Sequence, residues 1–511
     1  MAKSIFIGRN EELDLLDSLW SVPQATLLIL YGRRRVGKTR LLTHWLKRHG
    51  AYGLYWMAEA TSAREQLRSF SQAIIHFIDP DTPTPADFSY ATWEQALRQV
   101  ALHAKDRRMA LFIDEVTYLM EVNPSFVGIL QKTWDHWLSN SKLMLALSGS
   151  QMGLMQKKIL AYDAPLYGRD TAQLKLSPMP FSATKQFFPD YSDADRVAIY
   201  TMWGGVPAYW ERMDLSLPVM ENLGRQLLSY QSWMTDESRT LLNDFITEPH
   251  NYVAVLRAIA DGLQSSGEIS ERVGLASNEL SFYLSKLREA GFVVREVPIR
   301  QINYPNSRSG RYFVTDPYLR FYYRFLAAYQ SRLALGQQQQ VSEAIEADLP
   351  QFIETNTWRE LCRRWLLEVS NKEILPLPVE NVGSEWKSDF MIDVVGIDND
   401  SKSLILGDCF WREEPIGVKS VEQLVRKTST ILPDHEGWTV YYIVFSATGW
   451  TAKAESQAKS VIQKATNRAR KSWDTAGIRM VNLEQICSDL DRWSNSESLE
   501  PASKQLQLLD F

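Results

Sequence analysis

The chain has 511 residues, 45% hydrophobic and 23% charged, which is the composition of soluble globular domains, about three or four of them at this length. Its 17 Trp, 21 Tyr and 20 Phe exclude a mainly disordered chain. A net charge of −5 excludes a uniformly basic coat for nucleic acid and leaves a local basic face open. No apolar run approaches the roughly 20 residues of a bilayer span, so no membrane partner is expected. Met1–Arg9 lacks the apolar core of a signal peptide. Cys362, Cys409 and Cys487 form no CxxC pair, which argues against a disulfide framework or a Cys-based zinc site. The expectation is a cytoplasmic, thiol-tolerant, multidomain protein.

The first informative element is the apolar run Ala25–Tyr31, which reads as a strand. It enters Gly32-Arg33-Arg34-Arg35-Val36-Gly37-Lys38-Thr39 and leaves as a helical pattern from Arg40. This is the GxxxxGKT loop in its strand–loop–helix setting. Gly32 and Gly37 let the backbone curl so that its amides face a phosphate chain. Lys38 is expected to reach the β- and γ-phosphates and Thr39 to hold Mg²⁺. A second run, Met109–Glu115, ends an apolar strand with two acids. Asp114 is placed to bind the Mg²⁺ water shell and Glu115 to polarise an attacking water. The alternative for such a pair is a helix N-cap. A third strand, Lys142–Leu147, ends in Ser148-Gly149-Ser150. Either serine would sense the γ-phosphate, unless Ser-Gly here is plain turn chemistry. Ala164-Pro-Leu-Tyr-Gly-Arg169 then offers Arg169 as an arginine finger, or as one half of a surface salt bridge.

Phe6-Ile-Gly-Arg-Asn-Glu-Glu-Leu13, the GKT loop, the strand acids, the strand-end serines, Pro165-Leu-Tyr-Gly-Arg169 and Gly204-Gly-Val-Pro207 occur in an order that resembles the archaeal and bacterial P-loop ATPases of the AAA+/STAND group. Asn10 stands where the opening box more often has Glu. The resemblance implies ATP with Mg²⁺. It puts Phe6, Gly8 and Arg9 against adenine, the loop from Gly32 to Arg40 around the phosphates, and Gly205 and Pro207 in a helical lid.

Phe181–Tyr230 reads as that lid, rich in aromatic helices. From Tyr252 three helical patterns follow, Tyr252–Ala260, Gly267–Gly274 and Ala276–Gly291, the last with Leu280, Leu284 and Leu287 on one face. Phe292–Pro298 and Gly310–Val314 read as a strand pair. Together they make a winged helix-turn-helix. If it docks duplex DNA, Ser277, Asn278, Ser281, Lys286 and Arg288 lie toward a groove, and Arg300, Arg308 and Arg311 toward phosphates. The alternative is a module that packs against its own chain, since Glu279 and Glu289 offset the helix cations. After Pro317 the aromatics recur at helical spacing, as in a buried connecting helix rather than a base-stacking platform. Gly336–Gln340 reads as a solvated loop.

From Gln351 a new α/β unit begins: a helix with Glu360, a strand with Asp393 and a strand with Asp408. The layout is similar to the PD-(D/E)XK nuclease-like domain of the DUF234 family, which implies a second metal site at Glu360, Asp393 and Asp408. Phe410 stands where an active member carries its catalytic Lys, with Lys427 or Arg412 as the cations that would have to replace it. The helix from Lys453 to Lys471 carries Lys453, Lys459, Lys464, Arg468, Arg470 and Lys471 against Glu455, a second candidate face for duplex DNA.

The expected fold is α/β multidomain: a P-loop NTPase core (1–180), helical lid (181–245), winged helix-turn-helix (246–316), connecting helix and linker (317–350), restriction-endonuclease-like domain (351–490) and tail (491–511). The expected function is ATP binding and hydrolysis coupled to a DNA-linked output, with catalytic Lys38, Asp114, Glu115 and Arg169. Two alternatives are a nucleotide-held switch for homo-oligomer or protein assembly, and an ATP-dependent nuclease.

Overall fold

The computed structural model describes residues 6–494 apart from 82, 84, 230, 231, 244, 246–249, 388, 389, 433–436 and 469–472. The chain separates into two compact units. The first holds residues up to 179 with 206–208 and 239–247, and the second holds 180–205, 209–238 and the chain from 248 onward.

The first unit is built on five strands: β1 Thr26–Tyr31, β2 Gly53–Met57, β3 Met109–Asp114, β4 Leu143–Gly149 and β5 Ala172–Lys175. They pair in the order β2-β3-β4-β1-β5, all parallel. A parallel sheet is covered on both faces, which is why β1, β3 and β4 are near-continuous apolar runs. Alternate residues feed two separate cores. Leu27, Ile29, Leu111, Ile113, Leu145 and Leu147 lie in one, and Leu28, Leu30, Ala110, Phe112, Met144 and Ala146 in the other. Each fully buried Leu or Phe is worth about 1.5–3 kcal/mol, so these strands hold their carboxyl ends firmly. Because β4 lies between β1 and β3, the segments that leave these three strands are neighbours along one sheet edge.

In the second unit, helix Asp193–Trp203 opens on a capping box at Ser192. Its Arg196 is fully buried and binds Asp193 at 2.8 Å and Asp491 at 2.6 Å. Asp491 lies on the terminal helix Leu483–Ser494, so helix, not tail, occupies 491–494; the rest of the expected tail lies outside the described residues. Helices His250–Ala260, Ser266–Val273 and Ser277–Glu289 precede an antiparallel pair, β6 Val293–Glu296 and β7 Arg311–Val314. Leu280, Leu284 and Leu287 are buried, as their spacing requires. Tyr318, Phe321, Tyr322, Tyr323 and Phe325 are buried too, so these rings are core rather than a stacking platform. The glutamine run departs from expectation. Gly336 turns the chain at φ 76°, and Gln338–Gln340 open the helix Gln338–Ile353, in keeping with the helix propensity of Gln.

The C-terminal sheet contains β8 Asn381–Trp386, β9 Met391–Asp398, β10 Ser403–Phe410, β11 Trp438–Ser446 and β12 Trp473–Asn482, in the order β12-β11-β10-β9-β8. β8, β9 and β10 pair antiparallel; β10, β11 and β12 pair parallel. Helices Val418–Ile431 and Ala452–Arg468 make the two parallel crossovers. Among the described residues no helix is long and apolar enough to cross a membrane.

Candidate functional site

β1 delivers the glycine loop to the sheet edge. Gly32 has φ 155°, and a Cβ there would stand 2.4 Å from the Leu176 carbonyl oxygen, so only glycine fits. Gly37 has φ 102° and turns the loop into helix Lys38–His49. Val36 is buried between them, while Arg33, Arg34, Arg35 and Arg40 are half-buried. Lys38 is buried, and its ammonium donates to the carbonyls of Gly32 at 2.9 Å and Arg33 at 3.1 Å.

β3 delivers the acids. Asp114 is fully buried. Its Oδ2 accepts from Thr39 Oγ1 at 2.5 Å and from Tyr55 Oη at 2.8 Å, and its Oδ1 accepts from the Glu115 amide at 3.0 Å. No cation pairs with Asp114 among the described residues. Nothing local in the sequence marks Tyr55, on β2; its signal is its place on the strand that follows the loop helix. Burial, then the charge of Asp114, holds its phenol well above the usual value, so it stays a neutral donor.

Glu115 adopts the left-handed conformation, φ 51° and ψ 40°, which a side chain of this kind rarely takes outside functional sites. It occupies the N-cap position of helix Val116–Val122 yet makes no side-chain cap bond. Instead Glu115 Oε2 accepts from Ser150 Oγ at 2.7 Å. Ser148 is buried at the end of β4, and its hydroxyl finds no hydrogen-bond partner among the described residues. A buried orphan hydroxyl between the glycine loop strand and the Asp114 strand fits a polar ligand there.

The opening box folds onto the same loop. Arg9 Nη2 donates to Val36 O at 3.1 Å and Ser177 O at 2.7 Å, and Nη1 meets Glu12 at 2.7 Å. Gly8 and Arg9 both have φ 66°, and the Phe6 ring stacks on His44 at 3.9 Å. Arg169 pairs with Asp135, Nε to Oδ1 at 2.7 Å and Nη2 to Oδ2 at 2.8 Å. Gly205 lies in the turn after helix Asp193–Trp203 and Pro207 opens helix Pro207–Trp210, where the chain passes from one unit to the other.

The C-terminal acids behave differently. Asp393 pairs with Arg359 at 2.9 Å and accepts from the Cys409 amide at 3.0 Å. Asp408 pairs with Lys427 at 2.6 Å. Burial, then the charge of Asp393, raises the Asp408 carboxyl above the ordinary carboxylate range. Glu360 does not join them. It pairs with Arg320 at 2.8 Å, while Glu354, one and a half turns earlier, accepts from the Trp411 amide at 2.7 Å. Among the described residues no group of three acids, His or Cys comes together to hold a metal. The expected three-acid metal site is therefore not formed.

Two of the wing cations expected near phosphates are committed to protein. Arg300 binds the buried Glu385 at 3.1 Å, and Arg311 lies over the Trp386 ring at 5.1 Å. Arg308 is exposed, as are Ser277, Asn278, Ser281, Lys286 and Arg288, with Lys286 held by Glu289 at 2.6 Å. On the basic helix Lys453, Lys459 and Lys464 are exposed; Arg470, Lys471 and the side chain of Arg468 lie outside the described residues.

Comparison with known proteins finds three matching segments. Residues 6–213 match the family described as an ATPase domain predominantly from Archaea. Residues 252–294 match the bacterial regulatory proteins of the arsR family, and residues 322–424 a family of archaeal and bacterial proteins of unknown function, DUF234. An uncharacterized protein of Methanocaldococcus jannaschii is 28% identical over 435 residues, covering 84% of this chain and 94% of its own. An uncharacterized ATP-binding protein of the same organism is 51% identical over 43 residues, 8% of this chain and 73% of its own. Among solved structures, a Walker-type ATPase of Pyrococcus abyssi aligns with a TM-score of 0.46 and 19% identity, over 62% of this chain and 96% of that one. The chain thus carries an ATPase domain, a helix-turn-helix-type segment and a DUF234 segment.

Proposed function

We propose that the protein is a Mg²⁺-dependent ATPase of AAA+/STAND type whose nucleotide state controls a DNA-linked output through a winged helix and a degenerate PD-(D/E)XK-like module. The observation that carries the ATPase reading is Asp114: a fully buried carboxylate whose side-chain donors are the hydroxyls of Thr39 and Tyr55. A buried carboxylate without a protein cation is costly unless a positive ligand completes it. Mg²⁺ arriving with ATP supplies that charge and neutralises the phosphates. Thr39 and Asp114 are the residues that would hold it.

The chain's own groups take the remaining roles. Lys38 exchanges its two carbonyl acceptors for phosphate oxygens, which are stronger acceptors because they are charged. Glu115 orients and polarises the attacking water, and Ser150 fixes the carboxylate that does so. Ser148 reads the terminal phosphate with its unpaired hydroxyl. Arg169 is held in reserve by Asp135.

The C-terminal module fits a divalent metal poorly. Its two acids face two cations, Arg359 and Lys427, so the cluster is already neutral. We derive no cleavage step there and read the module as one that binds rather than cuts. In phosphate-release assays Lys38→Ala should lose nucleotide binding, and Glu115→Gln should retain ATP while turning over at least about a hundredfold more slowly. Equal turnover by wild type and Glu115→Gln would remove the role given to that acid. Negligible turnover by the wild type, with a nucleotide-dependent change in oligomer size, would make the protein an assembly switch instead. Plasmid nicking in Mg²⁺ or Mn²⁺ that Asp393→Ala abolishes would restore the nuclease reading.

A further inference from the structure

β10 and β11 end side by side, and each is followed by a helix that starts at the same sheet edge, Val418–Ile431 and Ala452–Arg468. A parallel bridge between Ile416 and Trp450 locks the two starts together, with the Ile416 amide on Gly449 O at 3.1 Å and the Thr451 amide on Ile416 O at 3.0 Å. The carboxyl edge of parallel strands is where open α/β sheets place their ligands. Here it opens a cleft of about 480 Å³ lined by Arg412, Lys419, Lys453 and Glu414.

The three cations are exposed, and among the described residues none forms an ion pair or a side-chain hydrogen bond. Arg412 lies over the Phe410 ring at 4.9 Å, which leaves its charge unneutralised. Glu414 is likewise unpaired, so the cleft lining itself carries three positive charges against one negative, with the exposed Glu413 and Glu455 outside it. Lys419 and Lys453 are each the second residue of their helix. Cations in a first turn oppose the helix dipole. The fold therefore gathers three like charges, two of them in locally unfavourable positions, with no internal partner. Such a conflict between local preference and placement marks a site that an external group completes. Elsewhere in this unit two of the candidate DNA-facing cations are paired with acids, Arg300 with Glu385 and Lys286 with Glu289.

We propose that this cleft binds the phosphodiester backbone of duplex DNA, with Arg412, Lys419 and Lys453 as its phosphate contacts. The exposed Lys459 and Lys464 extend the same helix surface. The proposal rests on the DNA-linked reading above and moves its main contact from the wing to the C-terminal sheet edge. A free nucleotide would need contacts for its base, and the cleft offers no aromatic ring, its apolar lining being Pro415, Ile416 and Val418.

The test is fluorescence anisotropy of labelled duplex DNA with the full chain over a salt series. Arg412→Ala/Lys419→Ala/Lys453→Ala should weaken binding at least about tenfold and flatten the slope of log K against log salt by about three. All three side chains are exposed, so an unchanged thermal melt serves as the folding control, and Lys453→Glu alone should shift affinity in the same direction. If the triple variant binds as the wild type does while Lys286→Ala/Arg288→Ala loses affinity, the cleft is overturned and the DNA-linked reading stands. If the wild type binds no duplex at any salt concentration, both fall together.

Discussion

The strand acids of the first unit and those of the C-terminal sheet are finished in opposite ways. At the end of β3, Asp114 meets hydroxyls and an amide, and Glu115 meets a serine; neither meets a cation among the described residues. Across β9 and β10, Asp393 and Asp408 each meet a cation, Arg359 and Lys427. Sequence pattern alone makes the two places look alike, since each sets an aspartate in an apolar strand run. What separates them is charge balance. A carboxylate supported only by neutral donors keeps its charge for a ligand, whereas one closed by a fixed cation has become part of the framework.

That contrast is most easily broken at Lys427. Asp408 is buried, and its Oδ1 already lacks a hydrogen-bond partner. Removing its cation by Lys427→Met should destabilise the protein by about 3 kcal/mol, because an uncompensated buried charge costs more than the pair contributes. Adding Asp408→Asn should restore most of the loss. Thermal denaturation of the single and double variants decides it, and a single variant as stable as wild type would show that Asp408 does not depend on Lys427.

The reverse case is Tyr55. Tyr55→Phe takes one donor from Asp114 and leaves Thr39 in place. The expected cost in nucleotide-free protein is about 1–2 kcal/mol, the range for a buried acceptor that loses a partner. Mg·ATP should offset it, since the ion would meet the same carboxylate. A loss in melting temperature that persists with saturating Mg·ATP would mean that Tyr55 supports the fold rather than the ligand-free state of the site.

What could be read beforehand follows from what is local. The glycine loop declares itself because Gly32 and Gly37 are needed by backbone geometry within a few residues. Leu280, Leu284 and Leu287 declare a helix face by period. Tyr55 does not, because its role depends on β2 pairing with β3, a contact set by the crossover order of the sheet. Glu360 parts from Asp393 and Asp408 for a related reason. The π-helical turn Glu354–Trp358 shifts the helical phase, so Glu354 reaches β10 while Glu360 turns to Arg320. Arg300 and Arg311 look free in the sequence because the residues they meet, Glu385 and Trp386, lie far downstream. Charge pattern shows how much charge a segment carries and leaves open which part of it the fold neutralises.

The smallest effect concerns Arg169 and Asp135, whose side chains are 29% and 43% exposed. Arg169 holds the Asp135 carboxyl below its ordinary range. A depressed carboxylate adds stability that is complete above its unfolded pKa, about 3.9, and is lost as pH falls through the lower folded value. Arg169→Ala should therefore lower stability at neutral pH, and the gap from wild type should shrink as the pH drops below about 4. Solvent screening keeps that gap under about 1 kcal/mol. An arginine that neutralises a transferring phosphoryl group is worth far more, about 10³-fold or above in rate, so this pair is weak enough to be exchanged for phosphate. Melting with saturating ATP separates the two uses of the side chain. A finger acting in cis adds a nucleotide contact that alanine lacks, and the gap then widens well beyond an exposed pair's worth. A gap that ATP leaves unchanged keeps Arg169 on Asp135, and the phosphoryl group must find its counter-charge in Lys38 and the metal alone.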